Sequence, residues 1–301
     1  METQKEYGYL GPQGTFSEMC ALKYSRACDK INPYDTIQEV VNKIKEQEID
    51  RGIIPLENSQ EGSVNISLDL LFNNSSLKII GEAIIPIEHY LLAPEGVDME
   101  DIEEIYSHPQ AIAQSRDFLN QNLAKAKLNY TDSTASAAEI IQGSNNKAMI
   151  GSIRVNDIYD FKIIASNIEG ELENYTRFII ITDQNEEIKF DKTLPDHKYK
   201  TSIVCTPEEN RPGILYELLG EFANRNIDLT KIESRPTKKR LGEYLFYIDL
   251  EGNYFSSKGI NQALKGVKDK SRLFRVLGCY LKDNINRRGE SVHGGNTKIK
   301  K

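Results

Sequence analysis

The sequence lacks several features that mark whole classes of protein. It has no run of eighteen apolar residues, which a helix needs to span a membrane. Its four cysteines form no Cys-x-x-Cys pair, which fits a reduced cytoplasmic compartment better than a disulfide scaffold. The chain has 38 Lys and Arg residues and 45 Asp and Glu residues, which gives a net charge of −7. Nucleic-acid-binding domains usually carry a positive net charge. We therefore expect neither membrane nor nucleic acid as a partner.

The chain has enough residues for two domains with separate cores, since 301 residues exceed the usual size of one. Its first six residues are polar, which does not fit a signal peptide and favours a cytoplasmic protein. From Tyr7 to Tyr159, strand and helix patterns alternate, which predicts a mainly parallel sheet. Residues 77–92 are too long for one strand and contain Pro86, so we expect the chain to cross there into a second α/β lobe.

Four turns in this region share one pattern, an apolar run followed by a small polar turn and then a helical segment. They lie at residues 11–18, 57–63, 107–110 and 132–135. Thr15 with Glu18, and Ser107 with Gln110, have the spacing of a capping box. Helix starts offer free N–H groups to an anion, although such turns also serve as plain helix caps. Ligands of open α/β sheets lie beyond the carboxyl ends of strands, where these turns are expected.

The most informative segment is Glu-Asn-Tyr-Thr-Arg-Phe at residues 173–178, which leads into the apolar run Ile-Ile-Ile. It predicts a strand that begins with the hydroxyl of Thr176 beside the guanidinium of Arg177. Side chains alternate across a strand, so a regular strand cannot direct both groups into one pocket. Either the two side chains act differently, or the strand begins at a bulge.

The last third of the chain has a different pattern. Residues 184–198 are polar and charged and contain Pro195, as expected of a linker. Residues 199–283 then predict strand, helix, two strands, helix and strand, the order of the ferredoxin-like split unit. Residues 284–301 are rich in Lys, Arg and Gly, so we expect a disordered tail.

Taken together, these motifs resemble the prephenate dehydratase family. The matching segments are Gly-Pro-Gln-Gly-Thr-Phe-Ser at 11–17, Pro-Leu-Glu-Asn-Ser at 55–59, Ser-His-Pro-Gln at 107–110, Ser-Thr-Ala at 133–135 and Thr-Arg-Phe at 176–178. The last part, with Glu-Ser-Arg-Pro at 233–236, is similar to an ACT regulatory domain. The resemblance implies a two-lobed catalytic domain of the periplasmic-binding-protein type at 6–183, a linker at 184–198 and an ACT domain at 199–283. No chorismate mutase segment precedes Tyr7, which favours the monofunctional form.

The resemblance also implies a reaction, the decarboxylating dehydration of prephenate to phenylpyruvate in phenylalanine biosynthesis. Aromatisation drives it, so we expect neither a metal nor a redox cofactor. The difficult event is the departure of hydroxide, and the family assigns importance to the threonine that corresponds to Thr176. A hydroxyl is a weak acid, so we expect Thr176 to donate a hydrogen bond to developing charge. Glu57 and His108 are both candidates for supplying the proton.

The two carboxylates of the implied substrate call for different partners. Arg177 is expected to clamp the pyruvyl carboxylate with two hydrogen bonds. The ring carboxylate loses its charge as carbon dioxide leaves, so neutral donors suit it better than a cation. We expect Ser107 and Gln114 to lie on one helix face, seven residues apart, beside Asn58. The complete predicted set of substrate contacts is Asn58, Ser107, Gln114, Arg177, Thr15, Ser133 and Thr134.

For the last domain, the resemblance implies that phenylalanine binds at a subunit interface and inhibits the enzyme. The residues expected to contact it are Pro212, Gly213, Ile214, Leu215, Glu233 and Ser234. Gly213 has no Cβ and allows close approach of another backbone, whereas Ile214 replaces the usual alanine. The resemblance favours a homodimer or homotetramer, and the module alternatively serves only for dimerisation. Two other functions stay open, arogenate dehydratase and a non-catalytic amino-acid sensor.

Overall fold

The computed structural model describes residues 4–170, 173–183, 194–238 and 242–283. Their contacts form two units. Of the described residues, the first unit contains those up to Ser67 and those within Ile84–Phe178, and the second contains Leu68–Ala83 and those from Ile179 to Asp283. Most of the predicted linker and the whole predicted tail lie outside the described residues. The domain boundaries drawn from the sequence therefore stay a prediction.

In the part of the chain that the structure describes before the second module, strands and helices alternate over most of the length, as the sequence predicts. The strands are β1 (Glu6–Leu10), β2 (Lys30–Tyr34), β3 (Arg51–Asn58), β4 (Gly62–Ser63), β5 (Leu77–Pro86), β6 (Tyr90–Ala93), β7 (Glu104–Ser107), β8 (Lys127–Tyr130), β9 (Lys147–Gly151), β10 (Lys162–Ser166) and β11 (Tyr175–Asp183). The helices are α1 (Phe16–Tyr24), α2 (Ile37–Lys45), α3 (Asn65–Asn73), α4 (Pro109–Gln114), α5 (Arg116–Asn122), α6 (Thr134–Ile141) and α7 (Ile153–Tyr159). Sequence reasoning missed α7 and β10.

Two α/β lobes make up the first unit. In one lobe, β1 pairs in parallel with β2 and β3, and β3 pairs with the short β4. The other lobe has the sheet order β10-β6-β9-β7-β8, in which β7 is parallel to both β8 and β9. Strand β6 is antiparallel to β9 and β10, so this sheet is mixed. The predicted two-lobed α/β class is confirmed.

Helix α2 illustrates why these segments fold as they do. The side chain of Thr36 accepts a hydrogen bond from the backbone N–H of Glu39 at 3.0 Å, which satisfies one of the free amides at the helix start. Ile44 lies four residues after Val40 and three after Val41, so the three buried side chains share one face. The polar residues of the helix cover the opposite face.

The helix predicted after Ser107 differs from the observed structure in two ways. Ser107 is the last residue of β7, and the cap of α4 is His108, whose side chain accepts from the N–H of Gln110. The predicted capping box of Ser107 and Gln110 is therefore wrong. The helix also stops at Gln114 and restarts at Arg116, because Ser115, with φ −95° and ψ 11°, leaves the helical region.

The second unit contains the predicted β-α-β-β-α-β module. Its elements are β12 (Tyr199–Pro207), α8 (Ile214–Ala223), β13 (Leu229–Pro236), β14 (Tyr244–Glu251), α9 (Lys258–Asp269) and β15 (Ser271–Leu281). The strand order is β13-β14-β12-β15 with antiparallel pairs throughout, so the ferredoxin-like class is confirmed. The core between this sheet and its two helices contains the buried side chains of Ile203, Ile248, Leu218, Phe222 and Val267.

Residues 68–83 contact the same module through polar side chains. The ammonium of Lys200 lies 2.8 Å from a carboxylate oxygen of Glu82, and both side chains are almost fully buried. A guanidinium nitrogen of Arg235 lies 3.1 Å from Asp69. The hydroxyl of Tyr247 donates to the backbone carbonyl of Leu68 at 2.9 Å. These contacts explain why this segment belongs to the second unit.

Candidate active site

Thr176 lies at the start of β11 in a chain of hydrogen bonds that runs through Asn58. The amide nitrogen of Asn58 donates to the hydroxyl oxygen of Thr176 at 3.0 Å and to the side-chain oxygen of Asn174 at 2.7 Å. The amide oxygen of Asn58 accepts from the backbone N–H groups of Gln60 at 2.9 Å and Glu61 at 3.0 Å. The structure thus places Thr176 and Asn58 together, as both predicted roles require.

These partners determine which atoms of the cluster remain available. Backbone N–H groups are donors only, so they establish which end of the Asn58 side chain is its oxygen. Both N–H bonds of the Asn58 amide are then engaged. The oxygen of Thr176 accepts from that amide, which leaves its own O–H to point elsewhere. Among the described residues, no group accepts that proton. Asn58 therefore orients a half-buried hydroxyl donor.

Arg177 lies on the other side of the same strand. Strand β11 is continuous from Tyr175, so consecutive side chains alternate between its two faces. The guanidinium of Arg177 is buried and lies 3.1 Å from the carboxylate of Glu57. Asn58 follows Glu57 in the chain and Thr176 precedes Arg177. These two neighbours pair with each other. The different partners of Thr176 and Arg177 agree with the alternative that the two side chains act differently.

Gln114, another predicted contact, is held by a histidine that sequence reasoning missed. The ring Nε2 of His89 lies 2.8 Å from the side-chain oxygen of Gln114, and the ring packs edge-on against Phe16 at 5.8 Å. The other ring nitrogen, Nδ1, is buried and has no partner in the part of the chain that the structure describes. Burial lowers the pKa of His89, against the opposing effects of Gln114 and Glu169, which favours the neutral ring.

The surroundings of His89 select one tautomer. An unpaired N–H in a buried site is rarer than an unpaired acceptor. Nδ1 is therefore the bare nitrogen, and Nε2 carries the proton and donates to Gln114. The amide N–H₂ of Gln114 has no partner among the described residues and remains a neutral donor. A neutral donor of this kind is what we predicted for the ring carboxylate of the implied substrate, and that contact stays a prediction.

The remaining predicted contacts are engaged within the protein. Ser107 is fully buried and donates to the backbone carbonyl of Ile150 at 2.7 Å. It ends a strand, so the expected helical alignment of Ser107 with Gln114 is wrong. His108 is exposed, and its Nδ1 accepts from the backbone N–H of Gln110 at 3.3 Å. Its predicted role as a proton source stays a prediction.

Hydroxyls at two other helix starts act as caps. Thr15 accepts from the N–H of Glu18 at 3.3 Å and donates to the carbonyl of Pro12 at 2.9 Å. Ser133 accepts from the N–H of Ser136 at 3.1 Å. Thr134 is the first residue of α6, and its side chain lies outside the described residues. Both hydroxyls cap their helices, but the carboxylate of Glu18 accepts from Gly14, so only the Thr15 half of the predicted capping box is present. Substrate contacts by Thr15, Ser133 and Thr134 stay predictions.

Two further residues that sequence reasoning missed join the lobes beside the first turn. The hydroxyl of Ser152 donates to the carbonyl of Gly14 at 2.6 Å. The guanidinium of Arg154 lies 3.1 Å from the buried carboxylate of Glu18, which also accepts from the N–H of Gly14 at 2.7 Å. Both residues lie at the start of the unpredicted helix α7, so no sequence signal led to them.

The residues predicted to bind phenylalanine lie at two places in the second unit. Gly213 precedes α8 with φ +85°, a conformation that strains any residue with a Cβ. Ile214 lines a cavity together with Asn210, Tyr244 and Phe246. Pro212 is exposed and Leu215 is half-buried, next to this cavity along the chain.

Glu233 and Ser234 occupy the edge strand β13 and are not among the residues that line that cavity. Glu233 is half-buried and Ser234 is exposed. Within the described part of one chain, the two predicted halves of the ligand site are therefore separate. A site at a subunit interface, as expected from the sequence, requires a second copy to bring them together.

The described residues lack two features that other classes of protein have. No helix is both long and apolar enough to cross a membrane. No three side chains of His, Cys, Asp or Glu are grouped as a metal site would require.

The fold and the site define a class of protein, a two-lobed α/β enzyme with neutral hydrogen-bond donors at its site, followed by a ferredoxin-like module. The family model "Prephenate dehydratase" matches residues 7–186, and the model "ACT domain" matches residues 209–265. A prephenate dehydratase of Lactococcus lactis subsp. cremoris is 37% identical over 90% of this chain and 96% of its own length. One from Methanocaldococcus jannaschii is 39% identical over the same shares.

A solved structure agrees with these sequence matches. The crystal structure of a prephenate dehydratase from Arthrobacter aurescens, in complex with L-Phe, superimposes with a TM-score of 0.81 at 30% identity. The superposition covers 96% of this chain and 93% of that one. The chain belongs to the prephenate dehydratase family, whose enzymes are carbon–oxygen lyases.

Proposed function

We propose that this protein converts prephenate into phenylpyruvate, carbon dioxide and water, as a cytoplasmic step of phenylalanine biosynthesis. The bond between the ring and its carboxylate breaks, and the electron pair moves into the ring. The bond between the ring and the hydroxyl oxygen then breaks, and the oxygen leaves with the bonding pair as hydroxide. One proton turns the hydroxide into water. The barrier lies in that departure, since hydroxide is a poor leaving group.

The hydrogen bond from Asn58 to Thr176 is the observation that carries this proposal. It leaves the O–H of Thr176 as an oriented donor, because its oxygen already accepts at 3.0 Å. A positioned donor stabilises charge as it develops on the departing oxygen. The hydroxyl need not lose its proton, so its weak acidity is no obstacle. Glu57 or His108 supplies the proton.

The isosteric substitution Thr176→Val tests this role, because it removes the hydroxyl and retains the shape. We expect kcat to fall by about 100-fold or more, the usual effect of losing one such donor. Thr176→Ser, which keeps the hydroxyl, is the matched control and retains most of the activity. Formation of phenylpyruvate from prephenate by the wild type is measured first. Equal kcat in the valine variant and the wild type contradicts the role of Thr176.

The same assay decides between the possible substrates and the non-catalytic alternative. Arogenate carries an amine where prephenate carries a ketone, so comparing kcat/KM for the two compounds identifies the preferred one. Arg177 is proposed to bind the pyruvyl carboxylate. Because its guanidinium pairs with Glu57 on the other face of β11 from Thr176, this role requires the Arg177 side chain to leave or share Glu57 and turn toward the substrate. Gln114 is proposed to donate to the ring carboxylate. A protein that binds prephenate without turnover is a sensor and not an enzyme.

The second unit is proposed to bind phenylalanine and inhibit the reaction. The support is the match to an ACT domain and the complex of the Arthrobacter relative with L-Phe. Two copies, in a homodimer or homotetramer, would combine the Ile214 cavity of one with Glu233 and Ser234 of the other. Glu233→Ala or Ser234→Ala is expected to weaken inhibition without changing the uninhibited rate. A titration that detects no binding of phenylalanine to the wild type contradicts this proposal.

A further inference from the structure

Asn174, two residues before Thr176, has an amide group that the structure leaves partly unused. Its side chain is 5% exposed, and its oxygen accepts from Asn58 at 2.7 Å. Its nitrogen is buried and has no hydrogen-bond partner within the described ranges. Buried polar groups in native proteins are nearly always paired, so an unpaired amide beside a catalytic candidate requires an explanation.

The hydrogen bonds of Asn58 establish which atom of the Asn174 amide is unpaired. The N–H groups of Gln60 and Glu61 determine that Asn58 presents its nitrogen to Asn174. Asn174 must therefore accept through its oxygen, because two amide nitrogens cannot bond to each other as donors. Its N–H₂ group is the unpaired one. Counting partners among the described residues, this cluster keeps two unused donors, the amide of Asn174 and the hydroxyl of Thr176.

The two donors are close enough to serve one small group. The oxygen atoms of Asn174 and Thr176 bond to the same nitrogen of Asn58. The residues are two positions apart, so alternation of the side chains directs them to the same side of the chain as it enters β11. We propose that Asn174 is a second catalytic residue whose amide donates, together with Thr176, to the departing hydroxyl oxygen. This inference rests on the proposed dehydratase function.

Two neutral hydrogen-bond donors suit a departing hydroxide. A departing hydroxide gains a full negative charge and has several lone pairs, so it can accept from more than one donor. Neutral donors that are already oriented stabilise that charge without reorganisation. They also avoid the strong ground-state attraction that a cation has for the two carboxylates of the substrate.

The test separates this catalytic role from mere support of Asn58. Asn174→Asp keeps an oxygen that accepts from Asn58 but removes the donor. At pH 8, where the introduced carboxyl group is ionised, we expect kcat to fall about 100-fold. As the pH decreases and the carboxyl group takes up a proton, it becomes a donor again, so kcat recovers relative to the wild type at the same pH. The kcat of Asn174→Ala is expected to fall by a similar factor and not to recover as the pH decreases.

Three results overturn the inference, provided that the wild type and Thr176→Ser convert prephenate. The first is an unchanged kcat in Asn174→Asp at pH 8. The second is a loss of kcat in Asn174→Ala with no loss of kcat in Asn174→Asp, which indicates that the Asn174 side chain only holds Asn58 in place. The third is a raised KM with an unchanged kcat, which assigns the amide to a non-reacting part of the substrate. If the wild type itself does not convert prephenate, the proposed function fails instead.

Folding of the variants is checked by circular dichroism and thermal unfolding. Asn174→Ser provides a smaller replacement if the alanine variant does not fold. It is expected to show the same loss of kcat, because its shorter side chain does not reach the position of the amide nitrogen. Recovery of the full wild-type kcat by the serine variant contradicts the inference.

Discussion

The Asn58 cluster of the first unit and the Ser202 cluster of the second use similar polar residues with opposite outcomes. The hydroxyl of Ser202 donates to Asp249 at 2.5 Å and bonds to Tyr280 at 2.6 Å, and all three residues are at least 95% buried. Asn58 and Thr176 are only half-buried, and their cluster retains unused donors. The type of residue is therefore a poor guide to function.

Unused hydrogen-bonding capacity distinguishes the two clusters. A buried network whose members bond to one another stabilises the fold and has little left for a ligand. A cluster that leaves donors free gives up stability, and that loss is typical of sites that bind charge. Substitutions in the second unit should therefore affect stability, and those around Asn58 should affect turnover.

The largest expected effect is on stability, from Lys200→Met. This substitution leaves the buried carboxylate of Glu82 without its cation, which costs about 3–5 kcal/mol. Urea unfolding at pH 7 measures the change. The double variant Lys200→Met, Glu82→Leu is the control, since replacing both charges with apolar groups should restore most of the stability. Turnover per folded molecule stays the same in both variants.

The next effect is on turnover, from Asn58→Asp. The introduced group still accepts from the N–H groups of Gln60 and Glu61 but donates nothing to Thr176. We expect kcat to fall about 100-fold, as for loss of an oriented donor. Ser202→Ala is the matched control and should lower stability by about 1–3 kcal/mol without lowering kcat. Loss of turnover in the Ser202 variant removes the distinction between the clusters.

A smaller effect is expected from His89→Leu, which removes the group that orients Gln114. We expect KM for prephenate to rise about fivefold to tenfold with little change in kcat, the equivalent of one neutral hydrogen bond. His89→Gln, which retains an N–H donor of similar reach, should recover part of the loss. A variant whose kcat falls while KM stays constant contradicts a binding role for Gln114.

The smallest effect depends on pH and concerns Asp69. Burial alone raises the pKa of this carboxyl, but hydrogen bonds from Lys238 and Arg235 outweigh it and hold the pKa below 3.8. The folded protein therefore takes up this proton less readily than the unfolded chain does. The contribution to stability is complete above about pH 4 and is lost as the pH falls through the lowered pKa.

Urea unfolding measures this contribution at pH 7 and at pH 3. Asp69→Asn should remove about 1 kcal/mol at pH 7 and less at pH 3. Asp35→Asn, at an exposed carboxyl group, is the control and should change neither value. An equal loss at both pH values indicates that the ion pair does not cause it.

Much of the architecture was predictable from local pattern. The alternation of elements, the second module and caps such as Thr36 depend on neighbours within a few residues. The position of Thr176 at a strand start, and its separation from Arg177, depend on the two-residue period of a strand. The cap at His108 was missed because Ser107, the residue before it, has the hydroxyl and the spacing to Gln110 that a capping box requires.

The residues that complete the site were harder to predict, although weak signals existed. Asn174 lies two positions before Thr176, so the period of a strand alone places both on one side. His89 is a polar residue inside an apolar run, a pattern that suggests a specific buried partner. Ser152 and Arg154 gave no signal, since their partners Gly14 and Glu18 are more than 130 residues away.

The sequence by itself determined the order of the elements, the two kinds of fold, and the family, because these depend on periodic patterns and on motifs in a set order. Only the tertiary structure decided which polar side chains saturate one another and which keep a donor for a ligand. Hydrogen bonds join specific atoms over about 3 Å, and their partners here come from distant parts of the chain. The hydroxyl of Thr176 is oriented by Asn58, 118 residues earlier, and the same distance along the chain separates Lys200 from its buried partner Glu82.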